Sequence, residues 1–291
     1  MFIFPMLLET AHSAFNSLDH IYEPKIDGHR LVLSRQDSPT RLYTRHNNEC
    51  TRQYPELYDI AQDDIILDGE VACTDRDTGA IDFESVMERF SAKRSDKILR
   101  LVASQPANYV VFDILRYKGE DLRGWPLMKR KELLAGLDFG NPRISVVPYI
   151  EREGERLFQE IVSRQMEGIV AKRKESVYTT GQRSPSWQKI INWTYVDVVL
   201  TGWRKDEFGW LVGVPDGERI RPAGVIELGV TPTQRKAFYG AVQPYVTGED
   251  RHNVYIQPLI KAKVKIRNWT KKGLLRSPVF VEFDLEFAKI I

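Results

Sequence analysis

The stretch Tyr22–Arg30 reads YEPKIDGHR and places the pattern K-x-D-G-x-R at Lys25, Asp27, Gly28 and Arg30. Four fixed residue types, each near 6% usage, coincide by chance about once in 10⁵ windows. The plain reading is a lysine before an ordinary Asp-Gly turn. The chemical reading is sharper. A lysine amine can attack an α-phosphate and form a covalent lysyl-nucleotide. The Asp-Gly turn would aim the amine, and Arg30 can hold phosphate or ribose oxygens. An unperturbed lysine is neutral in only about one molecule in 10³ at pH 7.4, so nearby cations would have to favour the free amine.

Around this stretch the sequence predicts mixed strands and helices. RLVLS at 30–34 and RLYTR at 41–45 flank the turn formers of QDSPT, which predicts a hairpin. IILDGEVAC at 65–73, NYVVFDILRY at 108–117 and GIVAKR at 168–173 read as strands. IDFESVMERF at 81–90 reads as a helix capped by Asp82, with Phe83, Val86, Met87 and Phe90 on one face. PLMKRKELLAGL at 126–137, with Pro126 at the first helical position, and ERLFQEIVSRQM at 155–166 read as two more helices. The elements do not alternate regularly, so the expected class is α+β with largely antiparallel sheets. From about residue 196 the texture changes to five or six short strand candidates and one helix, TPTQRKAFYGAV at 231–242. That pattern fits a small barrel of the OB type. The expected domains are residues 1–194 and 195–291.

The 291 residues carry 42 Lys+Arg against 40 Asp+Glu, a formal net charge of +2. This excludes a strongly basic nucleic-acid binder and leaves such a role to local residues. The split is uneven: residues 1–195 hold 27 basic and 29 acidic side chains, and residues 196–291 hold 15 and 11. Lys261, Lys263, Lys265 and Arg267 alternate with Ala262, Val264, Ile266 and Asn268. A period of two puts the four cations on one strand face, either simply solvated or tracking phosphates. No run approaches the ~18 apolar residues of a membrane helix. The opening MFIFPMLLETAHS lacks a basic n-region and is expected to be structured rather than a signal peptide. Cys50 and Cys73 form no disulfide framework and lack metal-ligand spacing, so a reducing cytoplasm is expected.

YEPKIDGHR resembles motif I of the covalent nucleotidyltransferases: ATP-dependent DNA ligases, RNA ligases and mRNA capping enzymes. Further segments are similar to the later motifs, in the family's order. TRHNNECTRQYPEL at 44–57 resembles a segment whose leading arginine, here Arg45, contacts the nucleotide. LDGE at 67–70 is similar to motif III, and YVVFDIL at 109–115 resembles motif IIIa. EGIVAKR at 167–173 looks like motif IV, RSPSWQK at 183–189 the approach to motif V, and WTKKGLLRSPVF at 269–280 the approach to motif VI. The closest texture is the ATP-dependent DNA ligase of bacterial Ku-associated end joining.

The resemblance implies a nucleotidyltransferase (adenylation) domain followed by an OB-fold β-barrel. It implies Lys25 as the nucleophile, and Glu23, Arg30, Arg45, Glu70, Phe112, Arg183 and Lys189 as nucleotide contacts, with Phe112 stacking on adenine. Glu70 and Glu167 would hold Mg²⁺. Lys172, Lys261, Lys263, Lys265, Arg267 and Arg276 would meet phosphates, mainly of the nucleic acid. The implied nucleotide is ATP and the implied partner is nicked duplex DNA. A Ku-like end-binding protein is a further implied partner, because no separate DNA-binding domain precedes motif I to complete a ring around the duplex. A monomer in a bacterial or phage-infected cytoplasm, active in DNA repair, is expected. RNA ligase, capping guanylyltransferase and a non-catalytic DNA-binding relative stay open as alternatives. Two positions depart from the family. Ile191 stands where a second motif V lysine is usual, and R-x-D-K is missing after Phe280, with Asp284 and Lys289 at the wrong spacing. Lys271 or Lys272 is a candidate substitute cation.

Overall fold

The computed structural model describes residues 1–36, 39–75 and 77–284. Asp37 and Ser38 of the QDSPT turn, the end of the VFVEFDLEF strand candidate, and Lys289 lie outside the described residues. The chain divides into two compact units, Met1–Asn192 and Trp193–Ile291.

The first unit holds strands β1 (Leu7–Thr10), β2 (Ser17–Pro24), β3 (His29–Arg35), β4 (Arg41–Thr44), β5 (Ile65–Cys73) and β6 (Ala107–Tyr117). They are followed by β7 (Glu120–Asp121), β8 (Ile144–Val146), β9 (Ile150–Arg152), β10 (Gly168–Arg173) and β11 (Arg183–Ile191). Its helices are α1 (Phe83–Ser91), α2 (Ser95–Ser104), α3 (Leu127–Ala135) and α4 (Gly154–Ser163). One sheet runs β1-β11-β10-β2-β9, and the other β4-β3-β5-β6-β7 with β8 beside β6. Pairing is antiparallel except for β1 with β11 and β6 with β8.

Strand periodicity sorts the side chains into layers. Leu31, Leu33, Leu67, Val71 and Val111 point to one core, where Val86 of α1 joins them. Val32, Ile66 and Leu115 point the other way and meet Ile21, Met6, Tyr178 and Trp187. The two sheets therefore face each other across this second core. On the outer side of the first sheet, Tyr22, Ile169, Ala171 and Ile190 pack with Ile161 of α4.

The helices differ in detail from the sequence expectation. Asp82 caps α1 by accepting from the Ser85 amide at 3.2 Å. Met87, however, is 40% exposed, and Arg89 is buried instead. The buried stripe follows Ser85, Val86 and Arg89, and Met87 lies one helical step off it. Arg89 is tolerated inside because Glu56 and the carbonyls of Gln53 and Gln105 accept hydrogen bonds from its guanidinium. Pro126 is the N-cap of α3, not its first helical residue. Helix α2 and strands β7, β8, β9 and β11 form where periodicity and turn residues predict no element, while β1 lies in the opening segment expected to be structured.

The second unit comprises β12 (Thr194–Arg204), β13 (Trp210–Asp216), β14 (Arg219–Ile226), α5 (Pro232–Val242) and β15 (Val246–Glu249). Next come β16 (Asn253–Ile256), β17 (Lys261–Ile266) and β18 (Val279–Phe283). Strand β15 is the one beyond expectation; all four of its residues are exposed, so no apolar alternation marks it. Strand β12 pairs with both β13 and β17, β13 with β14, and β17 with β18. A bridge between Leu228 and Val279 links the run after β14 to β18. These strands thus close on themselves around Trp210, Val212, Ala223, Val264 and Phe280, with Phe238 of α5 in the same core. No helix among the described residues is long and apolar enough to cross a membrane.

Candidate active site

Register places the sequence motifs on two facing surfaces of the first unit. Glu23 pairs with Val170, and Val170 with Lys189; Ile21 pairs with Lys172, and Lys172 with Trp187. Residues in register share a face, so Glu23, Lys172, Trp187 and Lys189 lie on the side away from α4. In the other sheet Arg30 pairs with Glu70, and Glu70 with Val110. Asp68 and Phe112, two residues from Glu70 and Val110, share that face.

Between these surfaces the motifs meet. The Lys25 backbone N–H donates to the Gly168 carbonyl at 2.9 Å. Its side-chain Nζ donates to Glu167 Oε2 at 2.7 Å, across 142 residues of sequence. Gly28 is required by close approach, since a Cβ there would sit 2.1 Å from the Val71 carbonyl oxygen. Arg30 makes a fork with Asp68, Nε to Oδ1 at 3.0 Å and Nη2 to Oδ2 at 2.6 Å. Asp68 is fully buried and also accepts from Tyr178 Oη at 2.6 Å. The Tyr178 oxygen in turn accepts from the Met6 amide at 3.0 Å. Charge-assisted bonds of this kind fix a planar guanidinium in one orientation.

Glu70 titrates far from its usual range. Burial pushes its carboxyl up, Lys25 and Arg30 pull it down, Glu167 and Asp68 push it up again, and the outcome is about 7. Glu23 is 2% exposed and lies between two buried lysines, Lys131 of α3 and Lys172, the latter at 2.7 Å. Lys172 Nζ also sits 4.7 Å from the Phe112 ring centre and 3.9 Å from that of Trp187. Burial, then the neighbouring Lys131 charge, lower its pKa to about 8, against the opposing pull of Glu23 and Asp113. The Phe112 ring is half-buried, with the Arg30 guanidinium carbon 5.2 Å from its centre.

Lys172 needs a correction. The expectation that it meets nucleic acid fails, because it is 2% exposed and engaged with Glu23 and two rings. A duplex surface cannot reach a side chain enclosed in this way; it lies in the cleft with Glu23, Phe112 and Trp187. Arg45 and Arg183 are not gathered with the others. Arg45 is exposed and donates to His46 Nε2 at 3.0 Å. Arg183 donates to the Leu8 carbonyl across the β1–β11 pair. Ile191, at the departing motif V position, is 7% exposed at the end of β11. Asp68 and Trp187 belong to the site as well; both sit inside motifs legible in the sequence but carry no separate signal there. Lys131 gave no signal, because KRKE on a helix looks like a solvated face.

In the second unit, Lys261, Lys263 and Lys265 do lie on one face of β17, alternating with buried Ala262, Val264 and Ile266. The stripe has two different ends. Lys263 pairs in register with Asp197 and lies 3.8 Å from Glu282. Lys265 and Arg267 instead lie 5.0 and 4.8 Å from the Trp193 ring centre. Arg276 approaches Asn268 Oδ1 at 3.5 Å.

The model for the ATP-dependent DNA ligase domain matches residues 5–190. The SPbeta prophage-derived DNA ligase-like protein LigB of Bacillus subtilis strain 168 is 38% identical over 281 residues, covering 96% of this chain and 98% of that one. The multifunctional non-homologous end joining DNA repair protein LigD of Mycobacterium tuberculosis H37Rv is 28% identical over 88% of this chain. The match spans only 35% of that longer relative. Among solved structures, mycobacterial DNA ligase D complexed with ATP and MES aligns at a TM-score of 0.59 and 25% identity, over 97% of this chain and 95% of that one. A Lig E DNA ligase shares the fold at a TM-score of 0.69 and 18% identity, over 98% of this chain and 100% of that one. With its motifs gathered in one cleft and a family model spanning most of its length, the chain is an enzyme that belongs to the ATP-dependent DNA ligases.

Proposed function

We propose that this chain seals 5′-phosphate/3′-hydroxyl nicks in duplex DNA through a lysyl-AMP intermediate. The carrying observation is the Lys25–Glu167 contact, 2.7 Å long, in one cleft with Arg30, Glu70 and Phe112. Lys25 Nζ attacks the α-phosphorus of ATP; a P–N bond forms, the α–β P–O bond breaks, and pyrophosphate leaves. A 5′-phosphate oxygen of the nick then displaces Lys25 from phosphorus, giving adenylated DNA. The 3′-hydroxyl attacks that 5′-phosphorus, closes the strand and releases AMP.

Arg30, held by Asp68, is oriented to bind phosphate or ribose oxygens, and Phe112 offers a shelf for adenine. Glu23, Lys172 and Lys189 line the same cleft from the opposite sheet. Arg45 and Arg183 would join the nucleotide only by leaving their present bonds. Two partly buried carboxylates that repel each other suit a hard divalent cation, so Glu70 and Glu167 are the residues to hold Mg²⁺. Such an ion supplies neutralisation of triphosphate charge. Residues 1–194 would then be the nucleotidyltransferase domain. Residues 195–291, whose strands close into a ring, would be the OB-fold domain. The alternating cations at 261–267 and Arg276 would track DNA phosphates. A role in DNA repair completes the reading by analogy with the end-joining relative; a cytoplasmic monomer acting with a Ku-like end-binding protein is the form proposed for it.

The test is incubation with ATP or GTP labelled in the α-phosphate, with Mg²⁺, then denaturation. Retained label from ATP but not GTP is expected, followed by sealing of nicked DNA in preference to nicked RNA. No label under any condition overturns the enzymatic reading.

A further inference from the structure

Helix α3 sends two cations inward. Its buried face consists of Leu127, Arg130, Lys131 and Leu134. Arg130 is accounted for by the fold. Its Nε and Nη2 donate to the two Asp113 oxygens at 2.8 Å each, and its Nη1 donates to the Trp125 and Ser176 carbonyls. These bonds tie α3 to β6 and to the segment after β10. Lys131 ties no backbone in this way. It is buried, its Nζ faces Glu23 Oε1, and the Tyr149 ring centre lies 5.8 Å away.

The charge around Glu23 is uneven. Oε1 faces Lys131 and Oε2 faces Lys172, so two ammonium groups share one carboxylate, and all three side chains are at most 3% exposed. Despite the short distances, Glu23 Oε1, Lys131 Nζ and Lys172 Nζ complete no hydrogen bond of good angle. For folding alone one lysine would balance Glu23, and an apolar side chain in place of the second would avoid a desolvation cost. A surplus buried cation beside unused donors suits a site whose charges rearrange when a ligand enters. The two lysines are not equivalent. Lys172 lies between the Phe112 and Trp187 rings of the cleft, whereas the ring beside Lys131 is Tyr149. Lys172 is the one placed to meet an incoming nucleotide. When it does so, Glu23 keeps Lys131, and the remaining buried pair is neutral.

We propose that Lys131 is a positioning residue for nucleotide selection: it holds the Glu23 carboxylate in place for the exocyclic amino group of adenine when Lys172 turns from Glu23 to the nucleotide. An ionised carboxylate only accepts, so it favours the 6-amino donor of adenine over the 6-carbonyl acceptor of guanine. The proposal rests on the ATP-dependent function proposed above and adds to it the residue that keeps base selection in register.

A nucleotide without the amino group supplies the test. KM and the maximal rate of adenylation by the full chain are measured with ATP and with purine riboside 5′-triphosphate, which lacks the 6-amino group, for wild type and Lys131→Met. Wild type should prefer ATP in KM by about tenfold or more, as expected for a hydrogen bond to a charged group. Lys131→Met should raise the KM for ATP by about tenfold and that for the analogue by less than about twofold, so that the preference disappears. The maximal rate with ATP should fall by less than about threefold, because Lys131 acts through Glu23 and not on the reacting phosphorus. If circular dichroism shows Lys131→Met unfolded, Lys131→Gln takes its place, with the same loss of preference. A KM that rises equally for both nucleotides, or a lower maximal rate with the preference intact, makes Lys131 a structural residue and overturns the proposal. So does wild type that takes both nucleotides equally, because Glu23 then does not read the base. Wild type that never labels is a failure of the ligase function instead. Calorimetric binding of the two nucleotides to the same variants then decides Lys131 by the same comparison, and absence of binding to either overturns its role.

Discussion

Lys25 Nζ lies 2.7 Å from Glu167 Oε2, and the Lys25 amide is bonded to the Gly168 carbonyl in the same stretch. The first motif is thus tied to the fourth by both backbone and side chain. If Lys25 is the nucleophile proposed above, adenylation requires that this ion pair be given up.

Lys25→Ala should abolish retained label from α-labelled ATP while leaving the fold intact by circular dichroism. Label surviving in that variant would sink the assignment of the nucleophile. Glu167→Gln should slow adenylation by about 10²-fold or more, because the cleft loses the carboxylate placed 2.7 Å from Lys25 Nζ to take its proton.

Glu70 makes a pH prediction. Its folded pKa, about 7, lies above the 4.5 of a free carboxyl. The folded state therefore holds a proton that the unfolded state releases between these values, and stability falls as pH rises from 4.5 to 7. The full penalty, on the order of 3 kcal/mol, is present above pH 7 and absent below 4.5. Glu70→Gln should accordingly melt higher than wild type at pH 8, with the gap closing toward pH 4.5, and it should be defective in adenylation. A gap independent of pH would contradict the burial argument.

His29 makes the opposite one. It lies edge-on to Phe90 with ring centres 4.2 Å apart, and burial with the Arg45 charge depresses its pKa to about 4. The unfolded state takes up a proton below pH 6.5 that the folded state refuses until about 4. Stability is lost as pH falls through that window, by about 3 kcal/mol at most. Urea titrations of His29→Gln should show a shallower acid loss than wild type between pH 6.5 and 4.

Lys172 separates nucleotide from DNA. Buried between Glu23, Phe112 and Trp187, it should act in adenylation. Lys172→Met should raise the KM for ATP, yet leave the salt dependence of nick binding unchanged. A slope change of about 1 in that variant would restore it as a DNA contact.

The two ends of the cationic strand should behave differently. Lys265→Glu with Arg267→Glu should weaken nick binding and flatten its salt dependence, because this end of the strand lies over the Trp193 ring. Lys261→Glu with Lys263→Glu should do less, because Asp197 and Glu282 already offset charge there. Adenylation should be little affected in either case. Equal loss of both steps with the fold intact would mean that the stripe does not serve DNA binding specifically.

Much of the cleft was legible in sequence because local chemistry demands particular residue types. A nucleophilic lysine before a turn needs Gly28, where no Cβ fits, and the alternation at Lys261–Arg267 follows from strand geometry alone. Met87 shows the limit. Periodicity allowed it on the buried face of α1, but the helix packs one step round and buries Arg89, which Glu56 compensates from outside the helix. Strand β15, exposed along its whole length, had no apolar pattern to read and exists because β16 offers it a ladder.

The sequence by itself determined the nucleophile candidate, the order of the motifs, the strand faces and the basic bias of residues 196–291. Only the tertiary structure decided which charges meet. It put Lys172 in the core beside Glu23, brought Lys131 from α3 to the same carboxylate, and locked Arg30 on Asp68 under Tyr178. The physical reason is that a charge alternates or repeats along a chain in the same way whether it ends in water or in a core. Burial and partners are set by contacts over long sequence separations, and they alone fix whether a lysine tracks a phosphate or holds a buried carboxylate.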